Sequence, residues 1–136
     1  MRVKYRSVDV DVLGRIMRAE AVGEGALGMK LVGNVVVNRV VYSCKPFKHI
    51  RNIYDAVMQE KQFEGTRSHL FTSKANAKER ELAMDCIKFW RGDPATRALY
   101  FQNPGKGKPC KTDWYGVGVG RFKNHCFYNP ENLCNL

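Results

Sequence analysis

The apolar residues of this chain change their spacing after Pro94. Before it they recur every three or four positions, the spacing of one helix face. After it, two segments have the composition and alternation of strands. Helices followed by a small antiparallel sheet predict an α+β fold, and 136 residues is the length of a single domain, 1–136, with a sizeable core. Helices are predicted at about 9–22, 27–41, 52–60 and 74–90, and strands at 98–101 and within 117–128.

Three of the predicted helices carry local signals that need interpretation. Either Ser7 or Asp9 is expected to cap the first helix, and Gly92 is expected to stop the last one. The segment 27–41 holds five valines between positions 32 and 40, a composition that also fits a strand. We interpret it as a helix because it is too long for a typical strand and lacks strict alternation.

Glu20 stands where the periodicity of the first helix predicts an apolar residue. Positions 13, 16 and 17 form the apolar face, and Glu20 is the next position on it. A carboxyl group on a buried face loses hydration, which raises its pKa, and a raised pKa suits a general acid. Two glycines follow closely, so we expect Glu20 to lie near a helix end, beside a cleft. The pattern alone slightly favours the alternative, that Glu20 reaches water or pairs with Arg18 or Arg39.

The formal net charge of +10 favours a polyanionic partner, such as nucleic acid, anionic lipid or a cell-wall polymer. The basic residues are spread along the chain, so no basic arm or tail is predicted. No apolar segment approaches the length of a membrane-spanning helix. Residues 1–7 are basic without a following apolar segment, so no signal peptide is predicted.

The five cysteines contain no CxxC pair. His49, His69 and His125 are not spaced as zinc ligands, so no metal site is predicted. Cys86 lies in a helix pattern and is expected to be a buried free thiol. If the protein reaches an oxidising environment, we expect at least one disulfide or interchain cross-link among the other four cysteines. Their spacing in the sequence does not assign the pairing. These are Cys44, Cys110, Cys126 and Cys134.

Several short motifs follow one another along most of the chain. The opening motif is Glu20-Ala21-Val22-Gly23-Glu24-Gly25, continued by Gly28-Met29 and by residues 32–39. Further motifs are Gln62-Phe63-Glu64, Tyr100-Phe101, Asp113-Trp114-Tyr115 and residues 121–128. In this order they resemble the SleB/CwlJ family of cell-wall hydrolases, over roughly residues 9–134. The short length and the ending Arg-Phe-Lys-x-His-Cys-Phe-Tyr resemble the CwlJ branch, whereas residues 105–108 have no counterpart.

The resemblance implies a lysozyme-like fold and degradation of spore cortex peptidoglycan during germination. Proteins of the CwlJ branch are made in the mother cell, so the implied location is the spore coat or outer cortex surface, reached without a signal peptide. The resemblance further implies a coat partner, GerQ, and activation by calcium dipicolinate, with no cofactor and no nucleic acid. Phages carry such genes too, so a bacterial and a phage origin both stay open.

The resemblance also places the family's catalytic glutamate at Glu20, which reverses the preference given above. A single acid can protonate the oxygen between muramic acid and N-acetylglucosamine and then take a proton from the muramic C6 hydroxyl. This lytic transglycosylation requires no second carboxylate. Hydrolysis ordinarily needs one, about 5 Å away in a retaining enzyme and about 6.5–9.5 Å away in an inverting one. The candidates are Glu24, Glu64, Asp93 and Asp113, each expected instead to shape a turn, cap a helix or lie on the surface.

Aromatic residues near the motifs are candidates for the wall of a sugar-binding cleft. Phe63, Tyr100, Trp114 and Tyr128 are the predicted substrate contacts, and Trp114 is the strongest because it lies in a polar loop. Core packing is at least as well supported for Phe63 and Tyr100. His125 is predicted either to bind substrate or to hold a buried polar network. Two asparagines, Asn34 and Asn38, are expected to satisfy backbone groups at the cleft floor.

Two non-catalytic functions are alternatives. A basic module that binds a polyanion such as nucleic acid fits the charge, but the chain has no RNA-binding strand motif and no recognition helix. A coat scaffold without activity is the second alternative, and the presence of Glu20 argues against it.

Overall fold

In the part of the chain that the structure describes, four α-helices precede a three-stranded antiparallel sheet, which confirms the predicted α+β fold. The computed structural model describes residues 1–42, 44–59, 62–112 and 114–130. None of the helices in these ranges is long and apolar enough to cross a membrane. The helices are α1 (Ser7–Ala21), α2 (Gly25–Tyr42), α3 (Ile53–Met58) and α4 (Ala77–Lys88), and the strands are β1 (Tyr100–Gln102), β2 (Val117–Phe122) and β3 (His125–Asn129).

Helix α2 lies at the centre of the molecule and is buried on two sides. Val32 and Val36 belong to the larger core, which α2 forms with α1, α3 and α4. Leu31 and Val35 belong to a smaller core that includes Phe127 of β3. A helix that is apolar on most of its surface is a buried helix. This double burial explains why the valine-rich segment also resembles a strand.

Asp9 fixes the start of α1, although neither Ser7 nor Asp9 is its N-cap. The N-cap is Arg6, and the Asp9 carboxylate accepts hydrogen bonds from the Arg6 backbone N–H at 2.8 Å and from the Tyr54 backbone N–H at 2.9 Å. Burial raises the pKa of Asp9, but these hydrogen bonds and the Arg6 guanidinium outweigh it, so the pKa is lowered. Asp9 therefore joins α1 to the start of α3.

Helix α4 is shorter than predicted at both ends. Asn76 caps it, since the Asn76 side chain accepts from the Glu79 N–H and the Glu79 carboxylate accepts from the Asn76 N–H, both at 2.8 Å. It ends at Lys88, so Gly92 does not supply the stop. An Asn with Glu three residues later is a known start signal, and here it sets the boundary.

Two asparagines of α2 hold the segment that leads into the sheet. Asn34 donates to the Trp90 carbonyl at 2.7 Å and accepts from the Gly92 N–H at 3.0 Å. Asn38 donates to the carbonyls of Ala95 at 3.1 Å and Ala98 at 2.8 Å. Both satisfy backbone groups, as predicted, but they anchor the chain before β1 and do not line the floor of the cleft described below.

Strand β3 is the middle strand and pairs with both neighbours. The segment 117–128, predicted to form one or two strands, contains β2 and most of β3. Tyr128 lies opposite Tyr100 of β1 and Gly118 of β2. The disulfide Cys110–Cys126 ties the segment before β2 to β3.

The cysteine predictions are confirmed for the residues that the structure describes. One disulfide joins two of the expected cysteines, Cys44 is disulfide-bonded as well, and Cys86 is a buried free thiol. Burial raises the pKa of the Cys86 thiol to about 12. Cys134 lies outside the described residues.

Replacing Asp9 by alanine is expected to destabilise the fold by about 2 kcal/mol, because the backbone N–H groups of Arg6 and Tyr54 lose their buried acceptor. Urea denaturation at pH 7 measures the change. Glu81→Ala is the control, since its exposed pair with Lys78 contributes little, and it should change stability by less than about 0.5 kcal/mol.

The lowered pKa of Asp9 also predicts how the stability of the wild type and of Asp9→Ala depends on pH. A lowered folded-state pKa gives stability that is present above the ordinary value of 3.8 and is lost as pH falls through the folded value. The wild type should therefore lose more stability on acidification than Asp9→Ala. Equal losses in both proteins would contradict this role of Asp9.

Candidate active site

A cavity of about 500 Å³ opens where the end of α1, the turn 64–67, β1 and β3 meet. Its volume is within the range of small-molecule sites, about 300–1,000 Å³. Its lining combines aromatic rings with charged and amide side chains, the composition suited to a polar ligand with apolar faces. The lining residues are Glu20, Arg39, Pro46, Phe47, Gln62, Phe63, Glu64, Tyr100, Phe101, Gln102, Asn103, Trp114, Tyr115 and His125.

Glu20 is the penultimate residue of α1 and is half-buried in this cavity. Its carboxylate accepts a hydrogen bond from the Gly65 backbone N–H at 2.9 Å. The pKa of Glu20 is raised, mainly because burial disfavours the charged carboxylate. The hydrogen bond from Gly65 and the charge of His125 act in the opposite direction, and the charge of Glu64 adds to the increase. The carboxyl therefore keeps its proton to a higher pH than an exposed glutamate.

Gly65 allows the turn 64–67 to lie directly against the end of α1. A Cβ atom at Gly65 would stand 2.7 Å from Glu20 Oε2 and 3.0 Å from Ile16 Cδ1, closer than side chains pack. A side chain at position 65 would displace these atoms, so glycine allows the backbone N–H to reach the carboxylate where it stands. The position of Gly65 directly after the Gln62-Phe63-Glu64 motif was the signal for this contact in the sequence.

Neither arginine proposed as an ion-pair partner binds Glu20. Arg18 pairs with Glu79 at 2.7 Å and donates to the Leu70 carbonyl at 2.7 Å. Arg39 donates to the Leu99 carbonyl at 2.8 Å. The interpretation of Glu20 as a residue that pairs with one of them is therefore wrong.

Glu64 is the carboxylate that shares the cavity with Glu20 among the described residues. Its side chain is exposed, and its charge acts on Glu20. Asp93 lies outside the cavity, where it accepts a hydrogen bond from the Thr96 hydroxyl at 2.9 Å. Asp113 lies outside the described residues.

Glu24 and His125 form a buried polar pair behind the cavity. Glu24 Oε1 lies 2.7 Å from His125 Nδ1, and Glu24 Oε2 accepts from the Asn124 N–H at 2.9 Å. Glu24 thus shapes a turn, as predicted, and links the start of α2 to the turn between β2 and β3. His125 belongs to this buried network, which is one of the two predicted alternatives, and it also lines the cavity. Substrate binding by His125 stays a prediction.

Aromatic rings form two stacks on the cavity wall. Phe63 is buried and stacks on Phe101, with ring centroids 5.6 Å apart. Tyr100 stacks on Tyr115 at 5.2 Å, and the half-buried Trp114 meets the Tyr115 ring edge-on at 5.1 Å. The structure therefore places three of the predicted aromatic residues in the cavity. Tyr115 was missed, although it directly follows Trp114 in the same motif.

Tyr128 is the predicted cleft residue that the structure places elsewhere. It is buried in β3, its hydroxyl donates to the Lys111 carbonyl at 2.9 Å, and it lines a second cavity of about 370 Å³. Side chains three positions apart on a strand point to opposite faces, so Tyr128 faces away from the side that His125 occupies. Its ring packs against Trp114, with centroids 4.7 Å apart, and so supports a residue that does line the cavity.

Polar residues of the cavity floor were also not identified from the sequence as site residues. Arg39 is buried and donates to Gln62 Oε1 at 2.9 Å. The Gln102 side-chain oxygen is buried without a hydrogen-bond partner. Gln62 and Arg39 both belong to the motifs described above, whereas Gln102 carries no local signal that directs it to this cavity.

Among residues 1–42, 44–59, 62–112 and 114–130, no group of three or more His, Cys, Asp and Glu side chains is arranged to hold a metal ion.

Comparison with known proteins identifies relatives of the whole chain. The cell wall hydrolase family profile matches residues 23–128, beginning three residues after Glu20. The cell wall hydrolase CwlJ of Halalkalibacterium halodurans is 44% identical over 132 residues, which cover 96% of this chain and 91% of the relative. CwlJ of Bacillus subtilis is 43% identical over 139 residues, covering 98% and 96%.

Solved structures share the fold. The catalytic domain of the germination-specific lytic transglycosylase SleB from Bacillus anthracis superposes with a TM-score of 0.72 at 23% identity, covering 92% of this chain and 97% of that one. The SleB catalytic domain of Bacillus cereus also has a TM-score of 0.72. The profile match and the identity to CwlJ over most of the chain show that this protein belongs to the cell wall hydrolase family.

Proposed function

We propose that this protein degrades spore cortex peptidoglycan during germination, as a lytic transglycosylase in which Glu20 is both general acid and general base. The observation that carries the proposal is a half-buried carboxyl group with a raised pKa in a cavity walled by aromatic rings. The names of the relatives support the substrate, since they include cell wall hydrolases and a spore cortex-lytic enzyme of Bacillus cereus.

In the first step the Glu20 carboxyl donates its proton to the oxygen between muramic acid C1 and N-acetylglucosamine. The C1–O bond breaks, the N-acetylglucosamine unit leaves with a free hydroxyl, and positive charge develops at muramic C1. The raised pKa supports this step, because it favours the protonated form of Glu20 more than in an exposed glutamate.

In the second step the Glu20 carboxylate accepts the proton of the muramic C6 hydroxyl. The C6 oxygen bonds to C1 and closes a 1,6-anhydro ring, and Glu20 returns to its starting form. No water is consumed. The Gly65 N–H supports this step by stabilising the charged carboxylate that exists between the two proton transfers.

Hydrolysis with Glu64 as a second carboxylate is the alternative, favoured by the presence of Glu64 in the same cavity. Glu64 is exposed and begins the turn that carries Gly65, so it acts on Glu20 through its charge in the proposed mechanism. The two mechanisms differ in whether the Glu64 carboxylate is required.

The proposal extends to where the protein acts. The similarity to CwlJ supports a spore-related role, and we place the protein at the spore coat or the outer surface of the cortex. Dependence on the coat partner GerQ and activation by calcium dipicolinate stay predictions from the family resemblance.

Glu20→Gln is expected to reduce cortex cleavage by about a hundredfold to ten-thousandfold, the usual effect of removing a general acid. The amide oxygen can still accept the Gly65 hydrogen bond, so the melting curve should be unchanged. Muropeptide release from isolated cortex measures the loss, and the exposed Glu81→Gln is the matched control. Normal turnover in folded Glu20→Gln would refute the assignment.

Glu64→Gln is expected to stay active and to move the alkaline limb of the kcat/KM profile to lower pH. Removing a negative charge beside Glu20 lowers its pKa, so Glu20 loses its proton at lower pH. The His125 charge and the Gly65 N–H, which also act on Glu20, are unchanged by this substitution. A loss of activity of about a hundredfold or more at every pH would instead identify Glu64 as a catalytic carboxylate.

Digestion of cortex in water enriched in heavy oxygen should leave the new muramic acid ends unlabelled, as 1,6-anhydro sugars. Ring closure uses the C6 oxygen of the sugar, whereas hydrolysis adds an oxygen from water. Mass spectrometry of the released muropeptides measures the label. Labelled ends would show that the enzyme is a hydrolase.

A further inference from the structure

We infer that Arg39 forms a carboxylate-binding subsite on the floor of the Glu20 cavity, which recognises the acidic side group of a muramic acid unit. This inference rests on the proposed function, because it assigns a ligand group to the same cavity. The ligand class is an anion attached to a sugar, either the lactyl carboxylate itself or the terminal carboxylate of a short peptide attached to it.

Arg39 is a buried cation without a counter-charge among the described residues. It is 3% exposed, and it takes part in none of the ion pairs that those residues form. Burial lowers its pKa to about 10, so the guanidinium is still charged at neutral pH. A buried charge without a partner is costly, and an anionic ligand would remove that cost.

Three aromatic rings hold the guanidinium in place. Its central carbon lies 4.5 Å from the Phe47 ring centroid, 4.6 Å from that of Phe63 and 5.4 Å from that of Tyr100. Such contacts stabilise a cation and fix its orientation without neutralising it. The group is therefore positioned before a ligand arrives, which reduces the entropy lost on binding.

The hydrogen-bond acceptors of Arg39 are neutral. Its Nε donates to the Leu99 carbonyl at 2.8 Å, and Nη1 donates to the Gln62 side-chain oxygen at 2.9 Å. Gln62 is exposed and lines the cavity, so its amide can move aside. A carboxylate in its place would form a hydrogen bond in which donor and acceptor are both charged, and it would neutralise the guanidinium.

This subsite would orient the glycan strand. Of the two alternating sugars of peptidoglycan, only muramic acid carries a lactyl ether with a carboxyl group. An anion on Arg39 would therefore place the muramic acid unit, and not N-acetylglucosamine, in the cavity beside Glu20. The net charge of +10 is consistent with an anionic ligand, since it attracts polyanions to the surface.

The test measures dissociation constants by calorimetry in the Glu20→Gln background, so that the probe is not cleaved. One probe is the disaccharide of N-acetylglucosamine and N-acetylmuramic acid with a free lactyl carboxylate, and the other is its carboxamide. The carboxylate probe is expected to bind about tenfold more tightly, the usual gain from a hydrogen bond to a charged group.

Two substitutions at Gln62 identify the residue responsible and leave Arg39 intact. Gln62→Glu supplies an internal carboxylate at Nη1, so it should abolish the preference between the probes and raise the melting temperature. Gln62→Ala removes the neutral acceptor and should keep the preference. Equal binding of the two probes in the Glu20→Gln protein, or an unchanged preference after Gln62→Glu, would overturn the inference.

Cortex cleavage by the wild-type protein separates this inference from the proposed function. A tenfold preference for the carboxylate without any cortex cleavage would refute the function and support the subsite. Cleavage without a preference would support the function and refute the subsite.

Discussion

The burial of α2 between two cores is the constraint on which the rest of the structure depends. One side of the helix packs on the other helices, and the other side packs beneath the sheet through Leu31 and Val35. Its polar side chains, Asn34, Asn38 and Arg39, hold backbone carbonyls between residues 90 and 99. Because that segment leads directly into β1, the position of the sheet relative to the helices follows from α2.

Two short contacts then bring distant segments together around the cavity. The Gly65 N–H binds Glu20 across 45 residues of sequence, and Glu24 binds His125 across 101. In each contact a carboxylate near the junction of α1 and α2 binds a group from a later segment: a backbone N–H for Glu20 and an imidazole ring for Glu24. The cavity is therefore bounded by parts of the chain that have no local reason to meet.

Burial acts in opposite directions on the two charged groups that the proposals use. It raises the pKa of Glu20 and lowers that of Arg39, because it disfavours the charged form of each. For Glu20 the result is a carboxyl group able to donate a proton. Arg39 stays charged at neutral pH and lacks a counter-ion among the described residues, which is the property expected of an anion site.

The sequence by itself determined the order of helices and strands, the buried face that includes Glu20 and the burial of Cys86, because these depend on local periodicity. The motifs also identified Phe63, Tyr100, Trp114 and His125, which the structure brings to one cavity. Tertiary structure decided which rings face that cavity and which neighbours meet Glu20. Tyr128 does not line the cavity, whereas Arg39 does. The side that a strand or helix residue faces is set by packing between segments that are far apart in the chain.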